Sequence, residues 1–474
     1  SSSGTYSGIT ILSSGNVGIG VAAPDGTLHV HTATAGSITP DGAADDLIVE
    51  NSGGAGISIL TPNDSLGQLV FGSVADAYGA FIGWKSDDNQ MTIATANAGD
   101  SIVLQTGNKV TRMVLDDNSR ISLSNNDASG AVGTTLFGYL AGANIVDGAI
   151  NNTYIGYGVG DATHTNAADN NTGVGYNALT ALTTAQKTTV VGSGAGVSLT
   201  TGSYNAFFGA DAGYTMATGT FNTAIGYSAL WSAELTESYN VAIGSGALGS
   251  LKMGTDTTDT TRCDYNIAIG NNAALSGDFV TADTDFKGNI AIGAFALDDT
   301  STNTQTGTIA IGHQALTALT SGAGNTAVGY SAMNDLVDGS NNTAIGYNAF
   351  GGTFADTTAD ASSDNVFVGK DAGSGDWETA VSNYNVGVGN NVMDGDMDGA
   401  LENTAVGHNA LSGLISGDKN CAFGTQALEG LTTGNFNTVM GWQAMDGATG
   451  LADDNVAIGN SAMGGAIGTD QVDD

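Results

Sequence analysis

Three aspartates in "DGDMDG" (394–399) stand at alternate positions, Asp394, Asp396 and Asp398, and Gly399 follows them. Alternating carboxylates that converge on one point, with a glycine at the sharp bend, open a calcium loop of the EF-hand type. The twelfth position of such a loop carries a bidentate glutamate, but Ala405 stands there and Glu402 is the nearest substitute. The competing reading is an acidic turn. Calcium is thus the one cofactor the sequence admits, and none is required. Glycoside hydrolysis needs two carboxylates flanking one bond. The adjacent pairs Asp298–Asp299 and Asp453–Asp454 do not meet that need, because neighbours on a strand point to opposite faces and neighbours in a loop are solvated. Five scattered histidines form no Ser–His–Asp pattern. The chain reads as a non-enzyme.

Recognition chemistry is a second candidate. Lys252, Arg262 and Tyr265 lie in "GSLKMGTDTTDTTRCDY" (249–265), Phe354 in "GGTFADTTADASSD" (351–364), and Trp377 and Tyr384 in "GSGDWETAVSNY" (373–384). Aromatic faces beside polar groups can stack on a sugar ring while the polar groups bond its oxygens, so these residues are candidate receptor contacts. The alternative is that the same segments only cover the fold. A further set of aromatics (Tyr139, Tyr157, Tyr176, Tyr227, Tyr330, Tyr347 and Trp442) suggests a stripe that packs against its neighbours.

The elements that must carry these residues are repeats. "NTAIGYSAL" (222–230) returns as "NTAVGYSAM" (325–333), "NTAIGYNAF" (342–350) and "NTAVGHNAL" (403–411). Counted from its glycine, the motif occurs 18 times between Gly138 and Gly459, never closer than 17 residues. A fixed minimum spacing with variable additions is the mark of a solenoid whose extra residues leave as loops. Position −4 is Asn in 15 copies (Asn222, Asn342, Asn403), which predicts an asparagine ladder or, alternatively, a cap on each turn. Position −1 is always apolar (Ile225) and −3 mostly Thr or Val, so this strand face is expected to fill the coil. Position −2 is Ala in ten copies and is expected to form a narrow outer face. The glycine itself (Gly226, Gly346, Gly407) is expected at a corner that excludes a side chain. Ala at +3 (Ala229) and an apolar residue at +4 predict a second short strand.

Composition agrees. Only 10 Lys and Arg face 47 Asp and Glu, a net charge of −37, which excludes the clustered cations that nucleic acid needs. No run of 18 apolar residues exists to insert into a membrane as a helix. All three prolines fall in the first 62 residues, as stacked strands further on require. Cys263 and Cys421 make no disulfide framework, and Cys421, in the −3 row, is expected to be buried and inert. Residues 1–125 show short alternating strands such as "QLVFGSV" and "MTIATA", read as an antiparallel β module, and "NVGIGVAA" (16–23) matches the repeat once.

The kernel "NTAIGYSAL" resembles the head repeats of trimeric autotransporter adhesins over residues 134–463. That resemblance implies a left-handed parallel β-roll, three of which pack side by side. "GNVGIGVAAPDGTLHV" (15–30), followed by "DDNQMTIATANAGDSIVLQ" and then by "NTAIGYNA" repeats, resembles bacteriophage tail-fibre proteins of the marine type. The expectation is therefore an all-β chain, with a β-rich module at 1–125 and a parallel β-solenoid or β-roll of about 18 repeats at 126–474, assembled as a homotrimer. Narrow Ala faces would be buried between copies, and three copies would carry 3 × −37 = −111 charges, which salt must screen. The expected role is host recognition as a virion tail fibre, with a host cell-surface glycan or protein as partner. A bacterial trimeric surface adhesin or extracellular filament and a polysaccharide-degrading tailspike are the alternatives.

Overall fold

The computed structural model describes residues 8–31, 46–122 and 133–465, apart from short gaps inside them, chiefly 86–89, 98–99, 107–109, 116–120, 233–236, 254–262, 280–284, 299–304 and 355–357. The chain is all-β. The one helical element among the described residues is a 3-10 turn at Ala359–Ala361, and no described helix is long and apolar enough to cross a membrane. Two units separate, residues 1–107 with 113–122, and residues 108–112 with 123–474.

The first unit is mixed rather than purely antiparallel. Strand β1 (Ile9–Ile11) pairs antiparallel with β2 (Val17–Ile19), but β2, β3 (Leu28–His31) and β4 (Leu47–Glu50) run parallel to one another. The single kernel copy causes this: Gly20 has a left-handed φ of 79° and ends β2 against the His31 carbonyl, where an added Cβ would collide. The chain therefore returns one layer higher instead of doubling back. Strands β5 (Leu66–Phe71), β6 (Ala80–Lys85) and β7 (Gln90–Thr95) form the expected antiparallel meander. Strands β8 (Ile102–Thr106), β9 (Val110–Leu115) and β10 (Ile121–Ser122) make a third sheet.

The second unit is a parallel β-solenoid. Its 18 kernels, here coils 1 to 18, place three-residue strands from Thr135–Phe137 to Val456–Ile458 in one uninterrupted parallel sheet, in register motif on motif. At about 4.8 Å per strand the sheet is roughly 85 Å long.

The strand faces are the reverse of the expectation. Position −2 points into the coil and −1 and −3 point out: Ala224 is fully buried, whereas Ile225 is 40% exposed. The interior is too thin for a row of Ile and Val facing a row of Leu. It is filled instead by −2 against +4, whose sizes compensate. Ala224 and Ala344 at −2 go with Leu230 and Phe350 at +4, all buried. Where −2 is large, +4 is glycine: a Cβ on Gly160, Gly213 or Gly373 would stand 2.7, 2.5 or 2.8 Å from the rings of Tyr154, Phe207 or Phe367.

Nor does a second strand follow the glycine. Ser228 and Leu230 adopt left-handed φ of 52° and 54°. A strand would send Ala229 and Leu230 to opposite faces, whereas this turn buries both. The glycine corner is as expected. Gly226 has φ 134°, and a Cβ there would lie 2.5 Å from the Gly244 carbonyl oxygen of the next coil.

Candidate functional site

Buried side-chain ladders hold the coils together. The Asn222 backbone N–H and Nδ2 both donate to Asn205 Oδ1, at 2.9 and 3.2 Å, and Asn222 Nδ2 also donates to the Glu237 carbonyl at 2.7 Å. Asn240 repeats the pattern on Asn222, Asn342 on Asn325 through its backbone N–H, and Asn403 on Asn385. Each amide thus bridges coils rather than capping its own turn. A second ladder runs at −6, absent from the sequence reading: the Ile150 N–H donates to Asp169 Oδ1, Ser363 N–H to Asn383 Oδ1, and Asn435 N–H to Asp453 Oδ1. Its signal was available, since −6 is repeatedly Asp, Asn or Ser. It also gives Asp453 a structural partner. Asp299 lies outside the described residues.

The outward face of the long sheet runs the length of the 18 strands. Its −3 and −1 rows contain 36 positions and not one Asp, Glu, Lys or Arg, in a chain of net charge −37. The −1 row is Ile, Val, Phe or Met throughout, and exposure reaches 53% at Phe423 and 69% at Ile458. Cys421 lies in the −3 row and is exposed, contrary to expectation, because that row faces outward.

Stacked rings flank this face on both edges. At +1, the Tyr139, Tyr157 and Tyr176 rings stack at 5.5 and 5.4 Å, and His313, Tyr330 and Tyr347 at 5.2 and 5.3 Å. These rings pack on the neighbouring coil, which occupies the faces a sugar would need. At −5, Tyr204, Phe221, Tyr239 and Tyr265 stack at 4.7, 5.0 and 5.0 Å within 7° of parallel. Of this column the candidate receptor contacts included Tyr265 and Tyr384. Lysines cover exposed ring faces: Lys187 over Tyr204, Lys287 over Tyr265, Lys370 over Tyr347 and Lys419 over Phe436, at 5.2 to 6.0 Å. Such cation–π contacts are worth about 0.5–1 kcal/mol at exposed sites.

The candidate receptor residues are not brought together. Trp377 is fully buried, its Nε1 donating to the Gly373 carbonyl, and it packs on Phe350, Phe354 and Phe367. Trp377 is a core residue and Phe354 packs partly buried against it, because the chain bridges between the two segments at Phe354 and Trp377. Tyr265 and Tyr384 are 53% and 58% exposed in the −5 column. Lys252 lies on a short strand, Lys252–Met253, parallel to Asp278–Phe279 of the next insertion, so these two insertions pair at that point. Arg262 lies outside the described residues.

The three aspartates do not converge. Asp396 Oδ1 accepts the Asp376 N–H, and Asp398 Oδ1 accepts the N–H of Thr379 and Ala380 and the Thr379 hydroxyl. Burial raises the Asp394 carboxyl to about 6, with Asp371 and Glu429 adding to the shift. Among the described residues no three His, Cys, Asp or Glu side chains are grouped to hold a metal ion. Further in, His164 Nδ1 lies 2.8 Å from the Ala162 carbonyl and donates to it, which leaves Nε2 to accept the Tyr154 hydroxyl at 3.0 Å. Burial holds this imidazole below its usual range and pushes the tyrosine hydroxyl up.

Compared with protein-family models, curated proteins and solved structures, the chain matches none of them. A solenoid of this kind is compatible with a fibre or adhesin-like structural role.

Proposed function

We propose that the chain is the structural and adhesive part of an extracellular fibre, a homotrimer whose copies meet through the outward face of the long sheet. One observation carries this reading: 36 consecutive outward positions without a charge, on a chain whose net charge is −37. Water-facing surfaces of monomers rarely expose apolar patches of this extent. With a length of roughly 85 Å and a width of about 15 Å, the face offers on the order of 1,000 Å² per copy, above the ~800 Å² per partner of a stable interface. The contact surface is therefore the −3 and −1 face, and not the Ala rows, which lie inside each coil.

Likeness of the kernel and of residues 15–30 to tail-fibre repeats supports host attachment as a phage tail fibre, with a host-surface glycan or protein as receptor. Specificity is assigned to the paired insertions 249–262 and 276–288, including Lys252 and Arg262, because the kernels are spent on packing. Light scattering in 0.5 M salt tests the assembly: a mass of three chains is expected, and a stable monomer contradicts it. Adsorption to host cells after trimming both insertions to a 17-residue repeat tests the attachment, with loss of adsorption by a still-folded fibre expected. Undiminished adsorption places the receptor site elsewhere.

A further inference from the structure

Columns +1 and −5 run along opposite edges of the outward sheet face, one strand apart. Within a coil six positions separate them, roughly 20 Å of extended chain, so their side chains do not touch. Yet their sizes compensate coil by coil. Tyr139 at +1 goes with Gly133 at −5, His313 with Gly307, and Tyr330 with Gly324. In the middle of the solenoid the assignment reverses: Tyr204 at −5 goes with Ala210 at +1, and Tyr239 with Ser245. In two coils an acid at −5 goes with a basic side chain at +1, whereas Lys187, Lys419 and Asp454 at −5 go with the uncharged Ser193, Thr425 and Asn460. Lys370 at +1 goes with Asp364 at −5, and His408 with Glu402. Three coils depart from the size compensation, with rings on both edges at Phe221/Tyr227 and Phe436/Trp442 and small residues on both at Gly288/Ala294.

Inside the coil, compensation between −2 and +4 has an evident cause, because the two side chains meet. No such contact within one chain explains the edges. Lys370 pairs with Asp371 and lies over Tyr347, while Asp364 accepts from Asn341; neither reaches the other. Contact between copies supplies the cause. We infer that the copies are parallel and in register, arranged in a closed ring so that the +1 edge of each meets the −5 edge of the next at the same coil. A shift of one coil in either direction would set Lys370 against Asn341 or Tyr384, whereas zero shift sets it against Asp364. An antiparallel arrangement would destroy the pairing altogether. This inference rests on the assembly proposed above and specifies its register and closure.

Charge reversal tests it. In about 0.15 M salt, where the net charge is screened but close pairs still interact, Lys370→Asp and Asp364→Lys should each weaken assembly about tenfold, since each ring closure repeats the like-charge contact. The double variant should recover most of the loss. A pair of different chemistry guards against misfolding artefacts. Gly307→Tyr places a tyrosine where the backbone is already left-handed, as it is at Tyr204 and Tyr239, and where no atom lies within 4 Å of an added Cβ. It should weaken assembly, and His313→Ala in the same chain should restore it. Light scattering across a dilution series reads all of these. A parent that assembles while the single reversals assemble equally well, or a double variant no better than the singles, overturns the register while leaving the assembly standing. A parent that never assembles removes both.

Discussion

The interior of the coil and its two outward edges obey the same rule of size compensation, but only the interior is closed by the chain itself. Inside, Phe207 is opposed by Gly213, and Ala224 by Leu230, side chain against side chain. At the edges, Tyr330 is matched to Gly324 across a gap that one chain does not span. A thin solenoid can satisfy its core with Ala and one Leu per coil, which leaves the larger Ile and Val of −1 for the outside. The contrast separates residues that stabilise the chain from residues that, in the assembly proposed above, would meet a second copy.

The strongest way to break the interior half of this comparison is to open a void in it. Phe207→Ala should cost about 3–5 kcal/mol, the range for deleting a buried aromatic. Adding Gly213→Leu rebuilds the Ala-and-Leu pattern of coil 6 and should return more than half of the loss in a denaturant melt. No recovery would mean that the two positions do not share one space. Next in size is the ladder. Asn222→Ala removes the acceptor of the Asn240 N–H and the Nδ2 donor to the Glu237 carbonyl, while the residue-222 N–H still donates to Asn205 Oδ1, for about 1–3 kcal/mol. Asn222→Asp should retain part of this, because it keeps an acceptor, and equal loss in both variants would contradict the bridge.

A smaller effect sharpens the reading of the acidic stretch. Asp394 ionises at about 6 in the fold against 3.8 unfolded, so the folded chain holds the proton more tightly. That contribution is fully present below pH 3.8 and is lost as pH rises through 6. Asp394→Asn should therefore raise stability at pH 7 and leave it unchanged at pH 3.5. Because the carboxyl is half exposed, solvent screening leaves about 1 kcal/mol of the shift. His164 acts in the opposite sense, since its depressed imidazole withdraws stability as pH falls below 6.5, and His164→Gln isolates the two contributions. The smallest effect concerns calcium. Asp396 and Asp398 already accept hydrogen bonds from the preceding coil, so chelation should leave the melting temperature unchanged. A clear fall on chelation, abolished by Asp396→Ala, would restore the calcium loop.

Much of this was legible in the residues. The repeat, its count, the asparagine ladder and the glycine corner follow from fixed offsets and from the limited conformations of Asn and Gly. The faces of the strand were not legible from hydrophobicity alone, because Ala is a core residue only when its partner is known. Reading −2 together with +4 would have found the interior: Tyr154 with Gly160 and Phe367 with Gly373 are visible as pairs in the sequence. Trp377 and Phe354 read as surface residues because they fall in long segments, yet two long segments in adjacent coils can bridge each other and bury their aromatics. The −5 stack was missed as a column because its residue type ranges from Gly and Asn to Lys, Glu, Tyr and Phe, while the left-handed turn that holds them does not change.

Cys421 offers the most direct measurement of the outward face as a self-interface in parallel register. It is the exposed one of the chain's two cysteines, in the −3 row of coil 16. Parallel copies in register place every Cys421 at one height, whereas antiparallel copies would separate the two thiols by roughly 60 Å along the stack. A short thiol-to-thiol crosslinker added to the assembled protein should couple two chains through Cys421. The product should vanish in Cys421→Ser and in Ile345→Asp with Val406→Asp, which place charge on the face. Assembled protein that yields no Cys421-linked pairs, or that assembles unchanged with the two aspartates in place, would contradict the account.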